Sequence, residues 1–240
     1  MVSNLEIGGD IAMKKAMWAL SFITLLGTAV AVQFLPESVP MHMDFEGNID
    51  RWGSRYENLI FPVIIIIISL LWTLFVNYFE KKAKKADDEK AAAESMSNAK
   101  VMSVVGFSMA VMFTVMHAFM VYTDFVASPD MVKSPVDIGK VSVILMGILM
   151  IVLGNYMTKT RINSAVGFRI SWSMYNETTW QKTNRFGAIL IMIAGLLSAV
   201  LGAVLKSSMA STFVMLGLII FASIITVVYA HKVYLEEIGK

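Results

Sequence analysis

Six apolar stretches alternate with polar connections along the chain, at residues 16–35, 59–79, 101–122, 141–157, 186–205 and 209–230. Each is close to the roughly 20 residues that a helix needs to cross the hydrocarbon core of a bilayer. The β-branched run that begins at Val63 would suggest a buried strand in water. In lipid a segment must satisfy its own backbone hydrogen bonds, so the same run predicts a helix. The pattern therefore predicts an all-α integral membrane protein with six transmembrane helices. Ahead of the first stretch stand Lys14 and Lys15, and Ala29-Val30-Ala31 has the look of a signal-peptidase site. The apolar core is longer than the roughly 7–15 residues of a signal peptide, which favours a retained helix. The first twelve residues, before Met13, read as peripheral or disordered. In the fifth stretch Ala194, Ser198 and Gly202 recur every four residues, as do Gly195, Ala199 and Ala203. Small residues at that spacing let helices approach closely, so this helix is expected to be packed and central.

Composition agrees with the pattern. Hydrophobic residues make up 57% of the 240 and charged residues 16%, against about 25% charged in soluble domains. The net charge of +2 gives no reason to expect direct contact with nucleic acid. With no cysteine, disulfides, thiolate metal sites and cysteine nucleophiles are excluded. Of the 20 lysines and arginines, only Arg51, Arg55, Lys133, Lys140 and Lys206 fall in the first, third and fifth connections. The positive-inside rule then places both termini in the cytoplasm and the first connection outside. In the second connection Lys81, Lys82, Lys84 and Lys85 are placed to snorkel to lipid phosphates. Its Ala, Glu and Lys residues favour a helix that continues from the second span and returns.

Candidate chemistry is sparse. His42, His117 and His231 fall in three separate places, and there is no HExxH pattern, phosphate loop or GxSxG. His117 lies within the third span, with Asp124 near that span's end. Ionisable groups at such positions are costly and often functional, but a proton relay needs more members than these. The first connection, PMHMDFEGNIDRWGSR, reads as a short outer hairpin turning at Glu46-Gly47-Asn48. His42, Asp44 and Glu46 would share one face and Met41, Met43 and Phe45 the other. The first face offers an incomplete metal-ligand set, and no metal, cofactor or catalytic residue is assigned. The fourth connection is basic, with Tyr156, Phe168, Trp172, Tyr175 and Trp180 interleaved. Asn176 is a candidate N-cap with Glu177 in the first turn, followed by Trp180, Asn184 and Gly187 on one face. An interfacial aromatic belt with a positive anchor accounts for this connection, and so does a docking surface for a protein or anionic lipid.

Both connections resemble the SdpI family of bacterial membrane immunity proteins. In the fourth connection the resemblance is carried by Gly154, Asn155, Tyr156, Met157, Asn163, Gly167, Arg169, Trp172, Trp180, Lys182, Thr183, Arg185 and Gly187. In the first it is carried by Pro36, Pro40, His42, Asp44, Gly47, Asp50, Arg51, Trp52 and Gly53. The chain departs from the family pattern at Thr158 and at Ile170-Ser171-Trp172. The resemblance implies a two-span half over residues 1–100 with the outer motif, and a four-span half over residues 101–240 with the cytoplasmic motif. It also implies resistance to a secreted, membrane-active antimicrobial toxin peptide, without catalysis. The implied partners are membrane lipids, that peptide and a cytoplasmic repressor held at the membrane when ligand is bound. Ligand binding is expected at His42, Asp44, Asp50, Arg51 and Trp52. A partner-binding or structural loop is expected at Asn155, Asn163, Gly167, Arg169, Trp172, Trp180 and Arg185, with Arg169 and Arg185 alternatively clamping helix-end carbonyls. An exporter of a small amphiphile and a membrane enzyme acting on lipid or peptide are the competing classes.

Overall fold

The computed structural model describes residues 4–44, 46–160, 162–163 and 166–239. Six long helices run in alternating directions: α1 (Asn4–Ala31), α2 (Ile60–Lys84), α3 (Glu89–Val126), α4 (Ile138–Met157), α5 (Glu177–Val204) and α6 (Ser208–Ile238). Strands β1 (Ser38–Met43) and β2 (Ile49–Ser54) form an antiparallel hairpin between α1 and α2. A short 3-10 turn, Arg55–Leu59, leads from the hairpin into α2. Helices α2 to α6 are long and apolar enough to cross a membrane. Helix α1 carries Lys14 and Lys15 within its length, and it already begins at Asn4 rather than near Met13. Helix α3 likewise starts at Glu89, three turns before the apolar stretch, because Asp88 caps it by accepting from the Ala91 amide.

The helices group three and three. Helix α1 packs against α2 and α3, while α4 packs against α5 and α6, and α3 meets α4 between the groups. Residue 100 falls inside α3, whose length runs unbroken through the first group.

A polar seam holds α1 in place. Lys14 pairs with Glu80 at 2.7 Å, and the Trp18 indole donates to Thr73 Oγ1 at 3.0 Å. Next along the helix come Ser21 with Ser69 at 2.8 Å, Thr24 with Thr114 at 3.0 Å and Thr28 with His117 at 2.9 Å. A hydroxyl has one proton. Ser21, Thr24 and Thr28 each donate theirs to the carbonyl four residues back on α1. With those protons so placed, each hydroxyl is free to accept from its neighbour, and a proton on His117 Nε2 would complete the last pair. Contacts of this kind average about 0.6 kcal/mol each within a membrane. Beyond the seam Val32, Leu35 and Val39 form a buried apolar cluster under the hairpin.

The second group relies on close approach instead. A Cβ on Gly147 would meet the Gly195 carbonyl at 2.5 Å and the Ala199 amide nitrogen at 2.8 Å. A Cβ on Gly154 would meet the Ala188 carbonyl at 3.0 Å, and one on Gly202 would meet Val143 at 3.1 Å. The small residues of α5 thus seat α4 backbone to backbone, while Ala194 packs with Met150 and Ala222 of α6.

The connection from α4 to α5 is built around α5. Asn176 and Thr179 cap that helix reciprocally, and Thr179 Oγ1 also donates to the Ser173 carbonyl. Trp180 is fully buried, with its indole donating to the Thr160 carbonyl at 3.0 Å. Asn184 Oδ1 accepts from the Phe168 amide at 2.7 Å. Gly167 turns the chain between them at φ +129°, where a Cβ would also strike Asn184 and the Trp180 ring. Trp172 packs at a tilt against His231, with ring centroids 4.4 Å apart, and Tyr175 meets Tyr234 edge-on, which fastens the connection to the end of α6.

Two outcomes follow for variants purified in detergent. Gly147→Val should lower stability by about 1–3 kcal/mol, the usual range for overpacking. Gly217→Val, where a Cβ meets nothing within 4 Å, should leave thermal unfolding unchanged. Gly167→Ala should free the α4–α5 connection, so limited trypsin digestion should cut at Arg169 at least several-fold faster than in the wild type. An unchanged cleavage rate would refute the tight seating of Gly167.

Candidate functional site

The hairpin end of the molecule is assembled from four separate stretches of chain. Gly47, at φ +80°, permits the turn between the strands. Asp44 closes it by accepting from the Glu46 amide and from both the side chain and backbone of Asn48. The Asn48 side chain, and then its amide, hold the Asp44 carboxyl below the usual carboxylate range. The turn is fixed from outside as well. The Ile49 amide donates to the Val132 carbonyl at 2.8 Å, and the Ser134 amide donates to the Gly47 carbonyl at 2.9 Å. The α3–α4 connection is thereby added to the hairpin, an arrangement that sequence reasoning missed.

Behind the second strand, Glu57 organises the corner. One carboxylate oxygen accepts from the Ser54 amide, and the other pairs with Arg51 at 2.8 Å. The carboxylate lies over Gly53, where a Cβ would collide with it and with Met41. Arg55 donates to the Leu35 carbonyl at 2.9 Å, holding the turn between α1 and β1. Arg169 and Arg185 are exposed, and neither has a partner among the described residues.

Under the hairpin lies a cavity of about 810 Å³, set where the two groups of helices meet. His42, Asp44, Asp50 and Arg51, all expected at the site, line it, whereas Trp52 does not. Trp52 is half-buried on β2, in register with Pro40. His42 Nδ1 bonds Asp50 at 2.6 Å, so this histidine turns towards β2 rather than joining Asp44 and Glu46. The register shifts on either side of His42, which breaks the simple alternation of faces. Met41 and Met43 line the same cavity as His42 and Asp44, while Phe45 lies outside the described residues. Among the described residues no three histidines or carboxylates gather with metal-binding geometry.

The remaining lining comes from residues that the sequence did not single out for the site. Ile60, Phe61, Met120, Ser142, Met146 and Met215 supply the wall from α2, α3, α4 and α6. Asp124, only 2% exposed, also lines the cavity and accepts from Asn58 Nδ2 at 2.7 Å. Two turns deeper on the same face of α3, His117 stacks on Phe61 with ring centroids 5.3 Å apart. The sequence signal for Asp124 was its place in an apolar helix; its partner Asn58 is 66 residues away in the chain and carries no such mark.

At the opposite end, Asn163, Gly167 and Trp180 serve the packing of the α4–α5 connection. Asn163 is buried and exchanges hydrogen bonds with the backbone of Val166. Asn155 and Arg169 are exposed, and Trp172 is half-buried against His231.

Comparison with known proteins covers both motif regions. Residues 159–230 match the SdpI/YfhL protein family, and residues 19–67 match a domain of unknown function, DUF1648. The chain is 23% identical over 218 residues to the protein named Immunity protein SdpI from Bacillus subtilis (strain 168), an alignment covering 90% of this chain and 91% of that relative. No solved structure matches the chain. The order of the two matched regions, the near end-to-end likeness to the Bacillus protein and the five long apolar helices agree with one another: the chain is similar to the SdpI/YfhL family over residues 159–230 and has the make-up of a multi-pass plasma-membrane protein.

Proposed function

We propose that this protein confers immunity to a secreted, membrane-active toxin peptide by binding it, without catalysis, at the cavity under the hairpin. The observation that carries the reading is the alignment with a named immunity protein over 90% of the chain, which includes the cavity-lining motif. In this reading α1 is the sixth span, both termini are cytoplasmic and the hairpin faces outward. The distribution of lysine and arginine supports that orientation. His42, Asp44, Asp50 and Arg51 then meet the arriving peptide at the cavity, with Trp52 beside it. The α4–α5 connection faces the cytoplasm and offers exposed Asn155, Arg169 and Arg185, with Trp172 beside them, to a repressor. Asn163, Gly167 and Trp180 hold that surface in shape.

The test is survival of a B. subtilis strain that lacks its own immunity protein, challenged with the supernatant of a toxin producer. Wild-type protein should protect. A His42→Ala, Arg51→Ala double variant, present in the membrane at equal abundance, should protect at least 10-fold less. An Arg169→Ala, Trp172→Ala variant should protect fully and lose only ligand-dependent gene induction. Failure of well-inserted wild type to protect would overturn the immunity reading for that toxin.

A further inference from the structure

We propose that the cavity under the hairpin takes the cationic end of an amphiphile, with the positive group at Asp124 and the apolar chain against the methionine wall. This deepens the immunity reading and rests on it only for the role of the cavity as the ligand site.

The lining has two halves of different chemistry. Met41, Met43, Met120, Met146 and Met215 face the space together with Ile60, Phe61 and Val143. Methionine is unbranched and polarisable, so such a wall adapts to chains of varied shape. The ionisable lining is predominantly acidic, with Asp44, Asp50, Glu57, Asp124 and Asp137 against Arg51 and His42. Four of these five carboxylates already have work. Asp50 pairs with His42, and Glu57 with Arg51. Asp44 closes the hairpin turn, and Asp137 caps α4 through the Lys140 amide.

Asp124 differs from the other four. It is buried at the end of an apolar helix, it borders the cavity, and its described partner is the neutral amide of Asn58. A buried carboxylate in such a segment is costly, and a paired cation is the usual compensation. Among the described residues no lysine or arginine pairs with it, and Arg51 is taken up by Glu57. The Asn58 amide fixes one carboxylate oxygen at 2.7 Å, which orients the group before any ligand arrives. Charge complementarity therefore selects a cation over a neutral or anionic head, and the methionine wall selects an attached apolar chain.

The test uses the full chain in phosphatidylcholine nanodiscs, titrated with octyltrimethylammonium, octanol or octyl sulfate after subtraction of protein-free discs. Wild type should bind the ammonium compound at one saturable site, at least 10-fold tighter than octanol, with no saturable binding of the sulfate. Asp124→Asn keeps the shape and a hydrogen-bonding group, and it should bring the ammonium and octanol affinities together without changing the octanol value. Met146→Trp fills the wall and should weaken both. Equal affinity for ammonium and octanol in the wild type, no saturable site, or a preference that survives Asp124→Asn would each overturn the proposal. Should Asp124→Asn fail to insert, the wild-type preference and the weakening of both ligands in Met146→Trp decide the matter. No toxin or cell enters this assay. Cation selectivity without protection would sink the immunity reading alone, and protection without cation selectivity would sink this proposal alone.

Discussion

Helices surrounded by lipid gain little from the hydrophobic effect when they meet, because the lipid tails are as apolar as the side chains they would replace. Everything in this fold follows from that shortage. The chain meets it in two ways, one for each group of helices. Helix α1 is tied to α2 and α3 by a row of hydrogen bonds from Lys14 to Thr28, one every three or four residues. Helices α4 and α5 instead bring their backbones together at Gly147 and Gly195, where dispersion acts over the shortest distances. Apolar residues consequently face outward over much of the surface, as at Ile64, Leu74, Leu197 and Phe221.

The hydroxyl seam also explains how polar groups are tolerated inside α1. Ser21, Thr24 and Thr28 each return their proton to a carbonyl of their own helix, leaving oxygen lone pairs for the neighbours. Ser69, Thr114 and His117 then need only one donor each to complete the contact. No charge is buried along this stretch except at its edge, where Lys14 meets Glu80. The seam is therefore specific in register and modest in cost, which suits a helix that must sit in one place against two others.

Much of the helical frame was legible in the sequence, since an apolar run near the bilayer thickness allows few alternatives. The Asn176 cap, the Gly47 turn and the buried face at Trp180, Asn184 and Gly187 were legible for the same local reason. Contacts between distant residues were not. Thr24 and Thr114 are 90 residues apart, and each alone is an ordinary residue of a membrane helix. The addition of residues 132–134 to the hairpin rests on backbone hydrogen bonds, which side-chain identity does not announce. His42 was expected to share a face with Asp44 and Glu46, but irregular register turned it to Asp50. At the cavity, the motif located the rim, while much of the wall came from span methionines that no sequence signal set apart.

The place of the cavity is as informative as its lining. Its walls come from the hairpin, α2 and α3 on one side and from α4 and α6 on the other. Between the two groups the direct helix contact is chiefly that of α3 with α4, less extensive than the packing within either group. A ligand in this space must touch both groups at once, so its binding energy bears on how they sit together. Among the described residues, the α4–α5 connection is fastened to the second group through Trp180 on α5 and through Trp172 and Tyr175 on α6. Helices α4 and α6 each run from the cavity to that connection, and they are stiff along their length. Were a ligand to shift one group against the other, these two helices would be the rigid route by which the shift reached the far surface.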